Sequence, residues 1–279
     1  MSKYLTDAAV IEFDSEVKHA YQGMGKLRQC VTQRTGVKGE SYKFTRMGKG
    51  LANQKASQAD VTPMDIEHSR QTATMENWNA PEYTDIFDQA EVNFDERQEL
   101  AKTIAKALSR REDQIIIDSM TAVTYSATPT TIDQGFAVAQ GGTAFTVDKL
   151  RAASAALSDR GVDEGDRYIA WTAAQRESLL AEEEATSSDY NVIKTLVNGQ
   201  LDSFMGFQFK LIETRSEGGL PANIAYGWHK DAVGYAVGLD MRTTIDWVAQ
   251  KTSWLANGVL KAGAVAREGA GLVQINTTN

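Results

Sequence analysis

Asn93-Phe-Asp-Glu-Arg-Gln-Glu-Leu-Ala-Lys-Thr-Ile-Ala-Lys-Ala-Leu-Ser-Arg-Arg-Glu-Asp-Gln-Ile-Ile-Ile-Asp-Ser-Met120 is the stretch whose reading decides the fold. Asn93 is a helix-capping residue type, and Glu96 stands three positions on, where a capping box places its carboxylate. Leu100, Ile104, Leu108 and Ile115 follow at helical spacing, which predicts one long helix from Phe94 to about Met120. Arg97, Lys102, Lys106, Arg110 and Asp113 share the opposite face, so one stripe is expected to pack on a sheet while the other meets water or a neighbour.

Upstream, Tyr42, Phe44 and Met47 interleave with Ser41, Lys43, Thr45 and Arg46, the near-alternation of a strand that ends at Gly48-Lys49-Gly50. From there to about Asn79 the chain is polar with no sustained apolar period, so the segment buries little surface alone and calls for a partner. Charge is uneven across the same region. Lys38, Lys43, Arg46, Lys49 and Lys55 face only Glu40. The next stretch carries Asp60, Asp65, Glu67, Glu76, Glu82, Asp85, Asp88, Glu91, Asp95, Glu96 and Glu99 against Arg70 and Arg97. Adjacent regions of opposite sign suit head-to-tail self-association; a solvated surface of uneven charge is the competing reading.

Downstream, Thr146 caps a second helix, Phe145 and Leu150 form its hydrophobic staple, and Gly161 lies past its end. Asp166–Trp171 reads as a buried strand, Ala173–Glu184 and Asn191–Val197 as helical segments, Phe207–Thr214 as a strand, and Gly199 and Gly206 as turns. Beyond Met241, Ile245, Trp247 and Ala249 alternate with Thr244, Asp246 and Gln250, and further strands are expected over Trp254–Arg267 and Gly271–Thr277. The class is α+β, with the last strands returning beside the long helix.

With 279 residues, 42% of them apolar, the chain is long enough for one large domain or two lobes. Its single cysteine, Cys30, leaves no internal disulfide framework and suits a reducing cytoplasm. No stretch reaches the ~18 consecutive apolar residues of a membrane span, so no membrane partner is expected. A net charge of −8 opposes tight binding of phosphates by the molecule as a whole.

Catalytic chemistry has little to build on. His19, His68 and His229 stand alone, outside metal-ligand spacing, and are read as structural. Gly23/Gly25 and Gly48/Gly50 open no helix after a strand and are read as turns rather than phosphate loops. Asp163, Glu164 and Asp166 offer oxygens to a hard cation but lack the calcium-loop pattern. No catalytic residue, metal site or cofactor is therefore expected. An acid–base hydrolase using some carboxylate pair stays as an alternative, with no pair singled out.

Phe13-Asp-Ser-Glu-Val-Lys-His-Ala-Tyr-Gln22, Trp78-Asn-Ala-Pro-Glu-Tyr-Thr-Asp-Ile86 and the helix opening at Asn93 resemble the major capsid proteins of tailed bacteriophages. So do Arg110–Asp118, Asn198–Phe207 and Gly263–Val273, and the order of these stretches is the specific part of the likeness. The resemblance implies the Hong Kong 97-type capsid fold: an N-terminal arm (1–39), an extended loop (40–79), a peripheral domain with the spine helix (80–145), an axial domain (146–240) and C-terminal strands returning to the peripheral domain (241–279). It implies a non-enzymatic subunit that assembles as pentamers and hexamers into an icosahedral shell around double-stranded DNA, in the host bacterial cytoplasm. The expected partners are other copies, a portal protein, an optional decoration protein and DNA held by weak non-specific contact. A separate scaffolding protein is also expected, because the sequence starts almost directly with the arm. The loop would lie on a neighbouring subunit, with Lys43, Arg46, Lys49 and Lys55 meeting Glu76, Glu82, Asp85 and Asp88. An encapsulin-like bacterial shell protein is the alternative with the same fold.

Overall fold

A 26-residue helix, α1 (Glu96–Thr121), forms where the uninterrupted run without glycine or proline predicts it. The computed structural model describes residues 23–87, 96–181, 203–213, 215 and 218–278, with side chains from 99 onward in α1. His19, Asp88, Asn93, the Asn191–Val197 segment and Gly199 lie outside the described residues. Among the described residues there are also thirteen strands, two further α-helices and three short 3-10 turns. In chain order the strands and further helices are β1 (Thr32–Thr35), β2 (Ser41–Met47), β3 (His68–Thr74), β4 (Glu76–Asp85), β5 (Tyr125–Ser126), β6 (Gly135–Val138), α2 (Val147–Asp159), β7 (Arg167–Trp171) and α3 (Ala173–Ala181). Then follow β8 (Ser203–Phe204), β9 (Phe207–Leu211), β10 (Ile224–His229), β11 (Val233–Val248), β12 (Ser253–Ala266) and β13 (Leu272–Asn276).

The chain divides into two compact units, one built on Asn77–Arg110 and Met241–Leu260, the other on Gly25–Glu76, Arg111–Asp240 and Lys261–Asn279. The larger unit holds a seven-stranded mixed sheet in the order β5-β6-β13-β10-β7-β9-β8. All five residues of β7 are buried, as a central strand covered on both faces requires. On one face α2 and α3 deliver Leu150, Ala153, Leu157 and Leu179 onto Ile169, Trp171, Phe207 and Ile275. The α2 termini match their sequence signals. Thr146 Oγ1 accepts from the Lys149 amide at 3.3 Å, and Phe145 and Leu150 are fully buried. At the other end Gly161 takes φ +74°, with the amides of Gly161 and Val162 donating to the carbonyls of Ser158 and Leu157.

The other face of the sheet is tied to residues 27–31 and to the end of α1: Trp228 Nε1 donates to the Cys30 carbonyl at 2.9 Å, and Tyr226 Oη to Thr121 Oγ1 at 3.3 Å. Ile116, Ile117 and Met120 are fully buried there. This burial overturns one expectation from the helical wheel. Asp113, assigned to the polar face, has no exposed surface. It accepts from the amides of Lys26 and Leu27 at 2.9 and 2.8 Å and from Arg215 Nη1 at 3.1 Å. A buried carboxylate persists only when its lone pairs are filled, and here the chain entering from residue 26 fills them. Beside it, Glu112 accepts from Tyr235 Oη at 3.0 Å and Arg28 Nη1 at 3.1 Å. Burial pushes the Glu112 carboxyl above the usual carboxylate range, with Arg28 pulling the other way. Arg28 also grips both oxygens of Asp240, at 2.8 and 3.0 Å.

In the smaller unit α1 lies against β12 at Gly258, where an added Cβ would sit 2.8 Å from Leu108 Cδ1 and overlap Ile104. The strand expected at Ile245 and Trp247 is present as the end of β11, and these side chains are 37% and 42% exposed.

Candidate assembly interface

β2 and β3 pair antiparallel as an isolated two-stranded ribbon in which Lys43 stands opposite Thr72, Thr45 opposite Arg70 and Met47 opposite His68. Strand alternation then sorts the ribbon into two faces. The inward face is fastened to the larger unit. Phe44 is buried against Gly234, where a Cβ would come within 2.7 Å of its ring, and Arg267 lies over that ring with its guanidinium carbon 5.5 Å from the centroid. Arg46 donates to Asp133 at 2.8 Å, to Ser69 Oγ at 3.0 Å and to the Arg267 carbonyl at 3.1 Å. Gln71 reaches the same Asp133 oxygen at 3.3 Å.

The outward face exposes Lys43, Thr45 and Met47 from β2 and His68, Arg70 and Thr72 from β3. Neither strand contains an acidic residue. Diagonal neighbours on such a ribbon lie about 7–8 Å apart, so Lys43 and Arg70 present one continuous cationic patch edged by hydroxyl groups. Sequence reasoning did not assign Arg70 or His68 to the interface, because β3 carries one apolar residue, Ala73, and gives no alternation. Their placement becomes legible only from the cross-strand register. His68, read as structural, is exposed, whereas His229 serves locally, its Nδ1 accepting from the Asp231 amide at 3.3 Å.

Beyond the ribbon the chain doubles back through residues 48–67, closed at its base by the Gly48 amide on the Glu67 carbonyl at 2.7 Å. This loop is without regular strands and exposes Leu51 by 81%, Val61 by 74% and Met64 by 47%. Of the residues assigned to the interface from sequence, Lys43 and Lys55 are exposed, and Lys49 donates to the Arg160 carbonyl at 2.7 Å. Arg46 is turned inward. Glu76 and Glu82 are exposed on β4, and half-buried Asp85 accepts from the Phe87 amide at 2.9 Å. The Asp163 carbonyl, in the loop weighed as a cation site, accepts from buried Arg167 at 2.8 Å. Among the described residues no three His, Cys, Asp or Glu side chains are grouped to hold a metal ion, and no helix is long and apolar enough to cross a membrane.

The ribbon is thus anchored along its inward face and exposed along its outer face and tip. A family model described as phage capsid protein matches residues 5–279. The chain belongs to the phage capsid protein family. It is a major capsid protein, a structural protein whose copies form the shell of a phage particle. No curated protein sequence matches it. Its fold is that of solved phage capsids. The capsid of cyanophage P-SCSP1u has a TM-score of 0.78 at 16% identity, over 100% of this chain and 96% of that one. Mycobacterium phage Che8 has a TM-score of 0.75 at 14% identity, over 96% and 97% of the two chains. The capsid of an empty GTA particle has a TM-score of 0.75 at 16% identity, over 100% and 98%. The architecture of the capsid protein is thus the Hong Kong 97-type fold, and neither the encapsulin-like shell nor the hydrolase draws support from these matches.

Proposed function

We propose that the capsid protein assembles through the outer face of the β2–β3 ribbon and its 48–67 tip, which one copy lays on carboxylates of the next, including Glu76, Glu82, Asp85 and Asp88. The observation that carries this reading is the acid-free outward face with Lys43 and Arg70, next to an anchored inward face where Arg46 is already committed to Asp133. The tip, folded back on itself, reaches about 30 Å from the ribbon, enough to cross onto an adjoining subunit. Its exposed Leu51, Val61 and Met64 would gain cover there, and the order imposed on the loop at docking makes each contact weak and correctable before the shell closes.

In this reading the arm is 1–39, the extended loop 40–79, the peripheral domain 80–145, the axial domain 146–240, and 241–279 the returning strands. Pentamers and hexamers close an icosahedral shell around double-stranded DNA in the host cytoplasm, with a separate scaffolding protein, a portal and an optional decoration protein as partners. The subunit performs no catalytic step. Its net charge of −8 leaves packaged DNA loosely held.

Reversing the outward charges tests the contact. Lys43→Glu combined with Arg70→Glu is expected to leave the subunit's melting temperature within about 2 °C, since exposed substitutions change stability little, while shell yield by sedimentation falls at least tenfold. Arg46→Ala should do the opposite, lowering subunit stability by about 1 kcal/mol with a smaller effect on yield at a matched folded fraction. Normal shells from the double reversal would contradict this interface.

A further inference from the structure

The short turn Lys230–Ala232, between β10 and β11, fastens two distant parts of the chain. Thr32, at the start of β1, donates through Oγ1 to the Asp231 carboxylate at 2.8 Å and to the Lys230 carbonyl at 3.3 Å. Just past β12, the amides of Arg267 and Glu268 donate to the Ala232 carbonyl at 2.7 and 3.4 Å, and Arg267 Nη1 donates to the Asp231 carbonyl at 3.3 Å. Arg267 carries the connection on to the ribbon. Its guanidinium lies over the Phe44 ring, and its carbonyl accepts from Arg46 Nη1 at 3.1 Å. Part of the ribbon's inward fastening therefore rests on this turn.

The turn is itself capped by His229, the last residue of β10, whose Nδ1 accepts from the Asp231 amide at 3.3 Å. Only a neutral imidazole does this, because both nitrogens of the protonated ring are donors. On protonation the Asp231 amide faces an N–H in place of a lone pair, and the cap is lost. A cavity of about 270 Å³ beside His229 brings water to the ring. Charges of both signs stand around it. Lys49 from the ribbon tip, Arg160 from the end of α2, Asp163, Asp231 and Glu268 line the same cavity, and Arg167 is the register partner of His229 on β7. Lys230 and Asp166 complete the set, joined by the Lys230 amide on the Asp166 carbonyl at 3.1 Å. Cations and carboxylates balance in number, so the lost acceptor is what separates the two states of the ring.

We propose that His229 is an acid-released catch on the ribbon. Neutral, it caps the turn and holds Arg267 against Phe44 and Arg46; protonated, it lets the turn open and the ribbon loosen. The closed turn requires the neutral ring, so it is favoured at high pH and lost as pH falls, over the pH 8 to 5 range in which histidines titrate. The consequence for shells rests on the ribbon contact proposed above, since copies with loosened ribbons dock less well. The catch itself does not depend on that contact and is read on the unassembled subunit.

The test is hydrogen exchange of the dilute full-length protein at pH 7.5 and 5.5, each corrected for intrinsic exchange, with thermal melting at pH 7.5 as the folding control. Wild-type amides in β2 and β3 should lose protection at least fivefold at pH 5.5, while those of buried β7 stay unchanged. His229→Asn supplies a capping acceptor that does not titrate; it should melt within about 3 °C of wild type and keep its ribbon protection at both pH values. His229→Gln is the second such variant, should asparagine fold poorly. His68→Gln removes the other described histidine, on the ribbon's outward face, and should respond as wild type does. A wild-type ribbon indifferent to pH would overturn the proposal. So would a wild-type response retained in folded His229→Asn or His229→Gln, or one abolished by His68→Gln. Normal shells from Lys43→Glu/Arg70→Glu would remove the ribbon contact and leave the catch to be judged by exchange alone.

Discussion

Asp113→Ala is expected to destabilise the capsid protein by about 3–5 kcal/mol, the scale for removing one partner of a buried ion pair. Arg215 keeps its charge with a side chain 1% exposed, and the amides of Lys26 and Leu27 lose their acceptor at the same stroke. A drop in melting temperature of about 10 °C follows for a chain of this size. Asp113→Asn keeps one acceptor and removes the charge, so it should fall between alanine and wild type. Glu112→Gln provides the contrast: Tyr235 keeps an acceptor and Arg28 keeps both oxygens of Asp240, so the loss should stay near 1 kcal/mol. Urea denaturation of the four proteins checks the order, and an Asp113→Ala midpoint equal to that of Glu112→Gln would contradict it. Because residues 26–31 are held by this carboxylate and by the Trp228 bond to Cys30, the variant should also become cleavable by protease there.

The second large effect lies on β12. A Cβ at Gly263 would overlap the backbone carbonyl of Thr74 and approach Met75 Cα at 3.3 Å, and a backbone group cannot rotate away as a side chain does. Gly263→Val should therefore cost about 3 kcal/mol or more by overpacking, seen as loss of soluble folded subunit or a melting temperature lower by roughly 8 °C. Gly165→Ala is the matched control. Nothing lies within 4 Å of its added Cβ, and its change should stay within about 0.5 kcal/mol. The consequence reaches assembly, because Thr74 is the last residue of β3 and a displaced β3 re-aims the whole ribbon.

Helix α1, the capped helix α2 with its glycine stop, and strands β2, β7, β9, β12 and β13 are legible from the sequence, since each carries a local signal of period, cap or turn. What is illegible is set by distant partners. Asp113 reads as a solvent-facing acid on the helical wheel. Only the amides of residues 26 and 27, far off in sequence, turn it into a buried acceptor. β3 gives no periodic signal because its inward face is made of Ser69, Gln71 and Ala73, small or polar groups that suffice beneath a ribbon fastened by Arg46 and Phe44. The same register separates Arg46 from Lys43, two cations that sequence places together and the ribbon puts on opposite faces. Alternation at Ile245 and Trp247 predicts the strand but not its exposure, since an apolar face reads the same whether its cover is the same chain or another copy.

Negative-stain electron microscopy of the full-length protein, expressed alone and together with a candidate scaffolding protein, tests the shell-forming role most directly. Closed shells, tubes, or rings of five and six are the predicted result, whereas a persistently monodisperse monomer in both preparations would contradict it.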